Sequence, residues 1–308
     1  MTNHSELIKS LTNDFLNESK RNLLFCEGIK DGFYQTIPKI NEKNSNQCFE
    51  LPCSENASIG MALGASTYGL NTILCFQRVE FALFAIEQIA NNSSKISYLT
   101  DQKRKNPALF RFVIGRGWGQ GPTHSQNLQS WFAHIPGLKV VMPSSADDAK
   151  GLLLTSIFDP NPVLFLEHRW LHNSTAEVTE GDIRIPLGIS KKVSSGKDIT
   201  IVSMSYMTVE AIIAVKFLEK YGITIDLIDL RSIKPLDLDS IIVSIQRTGK
   251  LLVLDTGCYT CSVASDIVSK ISINYSKLLN SPPSILATVS YTHLRAHETV
   301  LDLVCRLL

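Results

Sequence analysis

Short, continuous apolar segments alternate with helical stretches along most of the chain, and this alternation constrains the fold more than any other feature. Strands that are apolar on both faces are typical of parallel sheets with helices on both sides. The predicted strands are 22–26, 72–76, 109–114, 139–142, 163–167, 199–203, 223–228 and 251–255. We therefore expect an α/β fold with two doubly wound domains.

The predicted helices divide into the same two series. They cover about 5–20, 55–70, 79–98, 145–158, 206–220, 237–247 and 260–272. Between the two series lies a polar, irregular segment, 168–197, which contains Pro186 and Gly188 and is interpreted as a linker. We expect a first domain over 1–185 and a second over 186–288.

Composition excludes several classes of protein. With 44% apolar residues and a net charge of +1 in 308 residues, the chain has material for a large core but no charge excess for nucleic acid or an anionic membrane. No stretch has the length of a membrane span, and the start lacks the apolar core of a signal peptide. Seven cysteines, mostly in apolar runs, are typical of a reduced, cytoplasmic protein. The C-x-x-C of Cys258 and Cys261 is weak evidence for zinc or redox chemistry.

Glu55 opens a predicted helix rich in small residues, such as Gly60 and Gly64. Small residues at helical spacing let a helix pack closely on a sheet, a partner helix or a cofactor ring. Ser54 is a candidate N-cap, and a carboxylate in the first turn suits the helix dipole. Two interpretations stay open at this point: Glu55 stabilises the helix terminus, or its carboxylate faces a nitrogen of a ligand.

Alternate glycines follow the predicted strand that ends at Ile114, from Gly115 to Gly121. Their spacing fits neither the dinucleotide-binding pattern nor the P-loop, so they do not indicate nucleotide binding. Glycines can instead bring the backbone close to a ligand and present His124. The alternative is a hydrogen-bonded structural histidine. The pairs His168/His172 and His293/His297 have i,i+4 spacing, and we expect surface roles for them instead of metal binding.

Taken together, the sequence resembles the β subunit of the thiamine-diphosphate-dependent 2-oxo acid dehydrogenase E1 component, of the pyruvate dehydrogenase type, with transketolase as a wider relative. The stretches that carry the resemblance are Leu51–Gly60, Ala85–Lys95, Gly121–Lys150, Asp159–Glu167 and Ile228–Asp237. The resemblance implies a transketolase-like pyrimidine-binding domain followed by a transketolase C-terminal-like domain.

The resemblance also implies roles for individual residues. Glu55 matches the glutamate that hydrogen-bonds the aminopyrimidine of thiamine diphosphate and so activates the cofactor. His124 matches the histidine that stabilises intermediates and assists acyl transfer. Phe81 matches an aromatic side chain near the aminopyrimidine, and Glu27 an acidic position of a proton relay between paired sites. Asp159 and Asn161 match a segment that supplies ligands to a structural potassium ion in some relatives.

The diphosphate motif of these enzymes, G-D-G followed by N-N about 30 residues later, is not in the sequence. In two-subunit relatives the E1 α subunit carries it and holds the diphosphate and Mg²⁺. The resemblance therefore implies an α2β2 assembly with its active site between α and β, and a lipoyl acyltransferase (E2) as a further partner. Gln77 to Glu80 depart from the family's usual residues before Phe81, which leaves the 2-oxo acid unidentified.

Two alternatives remain at this stage: half of a split transketolase-like ketol transferase, and a non-catalytic scaffold of the same fold. Glu55 and His124 are both present, which argues against the scaffold. Residues 289–308 do not follow the family's pattern and are interpreted as an atypical tail, hypothetically a truncation followed by foreign or frame-shifted coding.

Overall fold

A computed structural model of the chain describes residues 1–115 and 120–288. The chain forms two compact units, Met1–Leu187 and Gly188–Leu308. Within the described residues, no helix combines the length and the apolar character that crossing a bilayer requires.

The first unit is built on a parallel sheet. Its strands are β1 (Thr2–Asn3), β2 (Asn22–Cys26), β3 (Cys48–Glu50), β4 (Asn71–Phe76), β5 (Ala108–Ile114), β6 (Lys139–Val141), β7 (Val163–His168) and β8 (Thr175–Ala176). Its helices are α1 (His4–Glu18), α2 (Glu55–Thr67), α3 (Ile96–Leu99), α4 (Gln129–Ala133) and α5 (Ala146–Ile157). Six of the strands pair in parallel in the order β6-β7-β5-β4-β2-β3, whereas β1 and β8 form a separate antiparallel pair.

Side chains of β5 alternate between two buried faces of this sheet. Leu109 and Val113 belong to a core cluster that includes Ile8 and Phe15 of α1 and Leu152 of α5. Phe110 and Phe112 point to the opposite face, where the ring of Phe112 lies 6.3 Å from that of Phe132 in α4. Helices therefore cover both faces, which explains why the strands are apolar throughout.

The second unit has a sheet of its own. Its strands are β9 (Lys191–Ser194), β10 (Ile199–Ser203), β11 (Ile225–Asp229), β12 (Ser232–Lys234), β13 (Leu251–Cys258) and β14 (Ser284–Thr288). Its helices are α6 (Tyr206–Leu218), α7 (Leu238–Thr248) and α8 (Val263–Asn274). Five strands are ordered β14-β13-β10-β11-β9, and all their pairs are parallel except β9–β11.

The predicted α/β class and parallel sheets are confirmed, but two local predictions are wrong. The single helix predicted over 79–98 is a 3₁₀ helix (Phe81–Ala85), a π-helical segment (Gln88–Ser93) and the short α3. The segment predicted as an irregular linker contains β8 and β9, whose two- and four-residue lengths give too little periodicity to recognise.

Candidate active site at one edge of the first sheet

Polar residues or a glycine stand at the ends of four neighbouring strands of the first unit. Glu27 follows β2, Glu50 ends β3, Gln77 follows β4 and Gly115 follows β5. Because the carboxyl ends of parallel strands meet at one edge of a sheet, these residues share the edge at which α/β proteins usually bind ligands. Glu55 and Phe81 lie a few residues beyond the ends of β3 and β4.

Glu27 is half-buried between the ends of β2 and β4. Its backbone N–H donates to Cys75 O at 3.1 Å, and its Oε2 accepts from the backbone N–H of Gln77 at 3.3 Å. Burial raises the pKa of Glu27 to about 7, and the negative charges of Glu55 and Glu50 add to this effect, whereas the Gln77 N–H opposes it. At neutral pH this carboxyl group therefore exists in both protonation states.

Glycine is required next to this carboxyl group. Gly28 has a φ of +70°, and a Cβ atom there would lie 2.2 Å from Gln77 Nε2. Its N–H donates to Glu50 Oε1 at 2.8 Å, so the turn after β2 is tied to the end of β3. The turn thus places Glu27 and Glu50 side by side.

Glu55 is the first residue of α2 and is half-buried. Ser54 occupies the N-cap position, but its side chain makes no capping hydrogen bond. Its carbonyl instead accepts bonds from the N–H and hydroxyl of Ser58, each at 2.9 Å. Since the charge of Glu55 raises the pKa of Glu27, the structure places the two predicted carboxylates within electrostatic range of each other.

Phe81 and His124 are in direct contact, although 43 positions separate them (124 − 81). Their ring centroids lie 5.6 Å apart and the rings are almost perpendicular, at 85°. Phe81 begins the 3₁₀ helix after β4, and His124 ends a 3₁₀ turn (Pro122–His124). Nδ1 of His124 lies 2.9 Å from Thr123 Oγ1. The predicted aromatic and histidine positions thus form one surface, while part of the glycine-rich loop, 116–119, lies outside the described residues.

Glu80 is a site residue that sequence reasoning did not single out. It is only 7% exposed, and its Oε1 accepts from the backbone N–H of Gln126 at 2.6 Å. Burial raises its pKa, while two backbone N–H groups, Arg78 and His124 oppose the rise. A charged residue directly before a predicted site aromatic was the available signal.

Asp159 and Asn161 form a local turn between α5 and β7, at the edge of the sheet where β7 begins and not at the edge of the candidate site. The N–H of Asn161 donates to Asp159 Oδ1 at 2.9 Å, and Lys139 Nζ lies 2.5 Å from Asp159 Oδ2. One carboxylate oxygen thus already holds a cation. No cluster of three acidic, histidine or cysteine side chains suited to a metal occurs in the part of the chain that the structure describes. The potassium site stays a prediction.

Cys258 and Cys261 are free and exposed, at the end of β13 and just before α8. Nothing in the structure assigns them zinc or redox chemistry, so that interpretation stays weak. His293, His297 and the rest of the tail lie outside the described residues.

The surface roles expected for His168 and His172 are wrong. His168 ends β7 at 3% exposure, and His172 is completely buried. His172 Nε2 lies 3.5 Å from Glu167 Oε2, and its ring lies 6.0 Å from that of buried His4. His172 thus belongs to a buried polar cluster that also contains Arg111, which forms a bidentate pair with Glu167, whereas the His168 ring contacts Trp170.

The buried cluster makes a pH effect on stability predictable. Burial lowers the pKa of His4 from 6.5 to about 4, the nearby His172 and Arg111 act in the same direction, and Glu167 opposes them. Between these two pH values the unfolded chain binds a proton that the folded chain does not, so the His4 contribution is complete above pH 6.5 and is lost as the pH falls toward 4. The expected loss is roughly 3 kcal/mol.

We expect His4→Phe to remove this part of the pH dependence, measured as the free energy of unfolding in urea between pH 7 and pH 4. The quantity to compare is the difference between variant and wild type, because the raised pKa of Glu27 changes stability in the opposite direction over part of the range. Exposed His134 provides the control, and His134→Phe should keep the wild-type slope. Identical slopes for wild type and His4→Phe would contradict the prediction.

The comparisons with known proteins agree with this architecture. Residues 3–174 match the model of the transketolase pyrimidine binding domain, and residues 188–303 that of the transketolase C-terminal domain. The second match includes residues 289–303, which the sequence analysis assigned to an atypical tail.

Curated relatives cover most of the chain. The β subunit of acetoin:2,6-dichlorophenolindophenol oxidoreductase from Cupriavidus necator is 37% identical over 80% of this chain and 74% of its own length. The β subunit of the pyruvate dehydrogenase E1 component is 36% identical in Rickettsia bellii, over 86% of this chain and 83% of the relative. In Rhizobium meliloti the same subunit is 37% identical over 84% of this chain but only 58% of the relative.

A solved structure has a similar fold. It is described as a split gene transketolase in the form of an inactive β4 tetramer, and it superimposes with a TM-score of 0.77 at 21% sequence identity. The match covers 94% of this chain and 90% of the other. At this level of identity, the likeness concerns the fold alone.

Proposed function

Because the chain belongs to the transketolase-type family that includes the β subunits of pyruvate dehydrogenase E1 and of acetoin oxidoreductase, we propose that it is the β half of a thiamine-diphosphate-dependent enzyme that cleaves a 2-oxo acid and passes on the acyl group. The observation that carries the proposal is the convergence at one strand edge. There, Glu27 and Glu55 follow the ends of neighbouring strands, the Glu55 charge adds to the rise in the pKa of Glu27, and the rings of Phe81 and His124 are in contact.

The donor set fits one end of the cofactor. A half-buried carboxylate and an aromatic ring suit an aminopyrimidine, which offers ring nitrogens and a flat apolar face. A diphosphate with Mg²⁺ needs a different set, and the G-D-G and N-N motif that would supply it is not in the sequence. We therefore propose that this chain holds the pyrimidine and that an α subunit holds the diphosphate and Mg²⁺.

Each residue then has a defined task. Bound thiamine diphosphate supplies the carbon centre that adds to the substrate's keto group and holds the electrons left by decarboxylation. Glu55 hydrogen-bonds the pyrimidine nitrogen and fixes its protonation state. Glu27, with a pKa of about 7, accepts or releases a proton near neutral pH. His124 hydrogen-bonds the oxygen of the reacting group, and Phe81 orients both the ring and the histidine.

Exposed apolar side chains support the need for a partner. Met61 on α2 is 49% exposed and Tyr68, directly after α2, is 87% exposed, while Phe84, Tyr98 and Leu99 on the elements that follow are each more than 70% exposed. Among the described residues outside α2 itself, no atom lies within 4 Å of the position that a Cβ of Gly64 would take. Small and apolar residues exposed in this way are typical of interfaces between subunits. An α2β2 assembly with α chains, working with a lipoyl acyltransferase, is the proposed arrangement.

The test is reconstitution. The chain is purified alone and together with a candidate α subunit that carries the G-D-G and N-N motif. Thiamine diphosphate binding is measured by calorimetry, and turnover of pyruvate, other 2-oxo acids and acetoin is measured with an artificial dye acceptor. We expect binding and turnover only in the mixture.

Other results assign the chain differently. Tight cofactor binding by the isolated chain would place the diphosphate site within it and contradict the split site. Ketol transfer between sugar phosphates, without turnover of 2-oxo acids or acetoin, would indicate a split transketolase. Assembly with the α subunit without cofactor binding would indicate a scaffold.

A further inference from the structure

Glu80 connects two segments that the proposed site depends on. Glu80 directly precedes Phe81 in the sequence. Its carboxylate accepts a hydrogen bond from the backbone N–H of Gln126, a residue 46 positions further along the chain. Gln126 lies two residues after His124. One partly buried hydrogen bond therefore joins the segment that carries the aromatic ring to the loop that carries the histidine.

The two ends of this bond are held very differently. On the Glu80 side, the fully buried Val79 donates its N–H to Val113 O of β5 at 2.9 Å, and Leu83 N–H closes a turn on Glu80 O at 3.1 Å. On the loop side, Gly121, Pro122 and Thr123 are exposed, and the backbone link of Gln126 to the sheet is a longer bond, in which its carbonyl accepts the Gly115 N–H at 3.4 Å. Glu80 is thus anchored to the sheet, and the loop is the part that it positions.

The charge of Glu80 bears on the same contact. Burial raises the pKa of Glu80, and the Gln126 N–H and the nearby Arg78 and His124 favour its ionised form. Its Oε2 is buried and has no hydrogen-bond partner among the described residues.

We propose that Glu80 is a positioning residue, which fixes the loop 121–126 and thereby holds the imidazole of His124 edge-on against Phe81. The proposal rests on the proposed function for what His124 then does. Unlike the proposed function, it can be tested by measuring the conformation of this chain, without cofactor or substrate.

Three variants separate the hydrogen bond from the charge. Glu80→Ala removes both, whereas Glu80→Gln keeps an oxygen that can accept the Gln126 N–H but removes the charge. Glu87→Gln is the matched control, because Glu87 is an exposed glutamate of the same helical region whose partners are Gln88, Asn56 and Asn92. Each variant is examined as the full chain, alone and with the α subunit.

The first readout is conformational. Because the Gln126 N–H loses a bond to a charged acceptor, its hydrogen exchange should be about ten- to hundredfold faster in Glu80→Ala. It should stay near the wild-type rate in Glu80→Gln and Glu87→Gln. The ¹³Cε1–H signal of His124, displaced by the ring current of Phe81, should move toward its position in an unfolded peptide only in Glu80→Ala. The Phe81→Leu variant shows how far the signal moves when the ring current is absent. The His124→Asn variant identifies the signal, because it should then disappear.

The second readout is kinetic. In the assembled enzyme, kcat should fall about ten- to hundredfold in Glu80→Ala, less in Glu80→Gln, and not in Glu87→Gln, while the KM for thiamine diphosphate changes less than about threefold. Unchanged exchange and an unchanged His124 signal in Glu80→Ala would overturn the proposal. So would a loosened loop with wild-type kcat. If wild type itself lacks turnover, the proposed function fails, and the exchange and NMR results still decide whether Glu80 positions His124.

Discussion

Glutamine in place of Glu55 should lower the turnover of the assembled enzyme by about 10²–10⁴-fold, which is the usual effect of removing one positioned acid–base group. Glutamine has nearly the same size and keeps one oxygen acceptor, but it cannot carry the negative charge that fixes the protonation of the pyrimidine. It also removes a charge that raises the pKa of Glu27. The proton-transfer function of the site is therefore lost while its shape is retained.

The measurement is kcat for the preferred 2-oxo acid together with cofactor affinity, both for the α–β mixture. A matched control is available because Glu6 lies in the first turn of α1 as Glu55 does in α2. If Glu55 only stabilised its helix, both Glu→Gln variants would lose less than about 1 kcal/mol of stability and nothing else. Full turnover in Glu55→Gln would establish that helix-terminus role.

The sequence proposed residues of the candidate site only where one short motif surrounds them. Glu55 stands at the start of a recognisable small-residue helix, and His124 stands in a recognisable loop. Glu80 could not be found in this way, because its partner Gln126 lies on a distant loop and neither residue has a pattern around it. The contact between Phe81 and His124 likewise depends on where the ends of β4 and β5 meet.

The burial of His168 and His172 could not be predicted either, because the local sequence indicated exposure. A polar segment with i,i+4 histidines indicates an exposed linker. The pairing of β7 with β5 instead brings Glu167 to Arg111, 56 positions earlier in the chain, and His172 is buried beside Glu167. Side-chain alternation in β5 places Arg111 on the same face as Leu109 and Val113. This face belongs to the core, where a charged side chain is not expected from the sequence. The longer central strands and the class of fold were predictable since they depend on local periodicity, whereas short strands such as β8 and β9 give too little of it and the buried polar cluster depends on register.

Methionine in place of Arg111 should cost about 3–5 kcal/mol of unfolding free energy, which is typical for removing one partner of a buried ion pair. Arg111 donates to Glu167 Oε1 at 2.8 Å and to Oε2 at 3.0 Å, and also to Thr36 Oγ1 at 3.1 Å, and the two charged side chains are completely buried. Burial alone would raise the pKa of Glu167, but Arg111 and His172 outweigh it and lower that pKa to about 2. Without Arg111 a buried negative charge is left uncompensated.

The pH dependence distinguishes this cause from a simple loss of packing. In Arg111→Met, burial is no longer outweighed by the guanidinium, so the folded-state pKa of Glu167 should rise above its unfolded value of about 4.3. A raised carboxyl pKa means that the folded chain binds the extra proton, so the variant should recover stability relative to wild type as the pH falls through that pKa. Hydrogen exchange of β5 and β7 in the full chain, from pH 7 to pH 5, measures this. Arg184→Met is the control, because it breaks the exposed pair with Asp182 and should leave the stability close to that of wild type. The double variant Arg111→Met/Glu167→Leu should lose much less than Arg111→Met, since no charge is then left buried. Equal losses in the single and double variants, without a pH effect, would show that Arg111 acts through its packing volume and not through its charge.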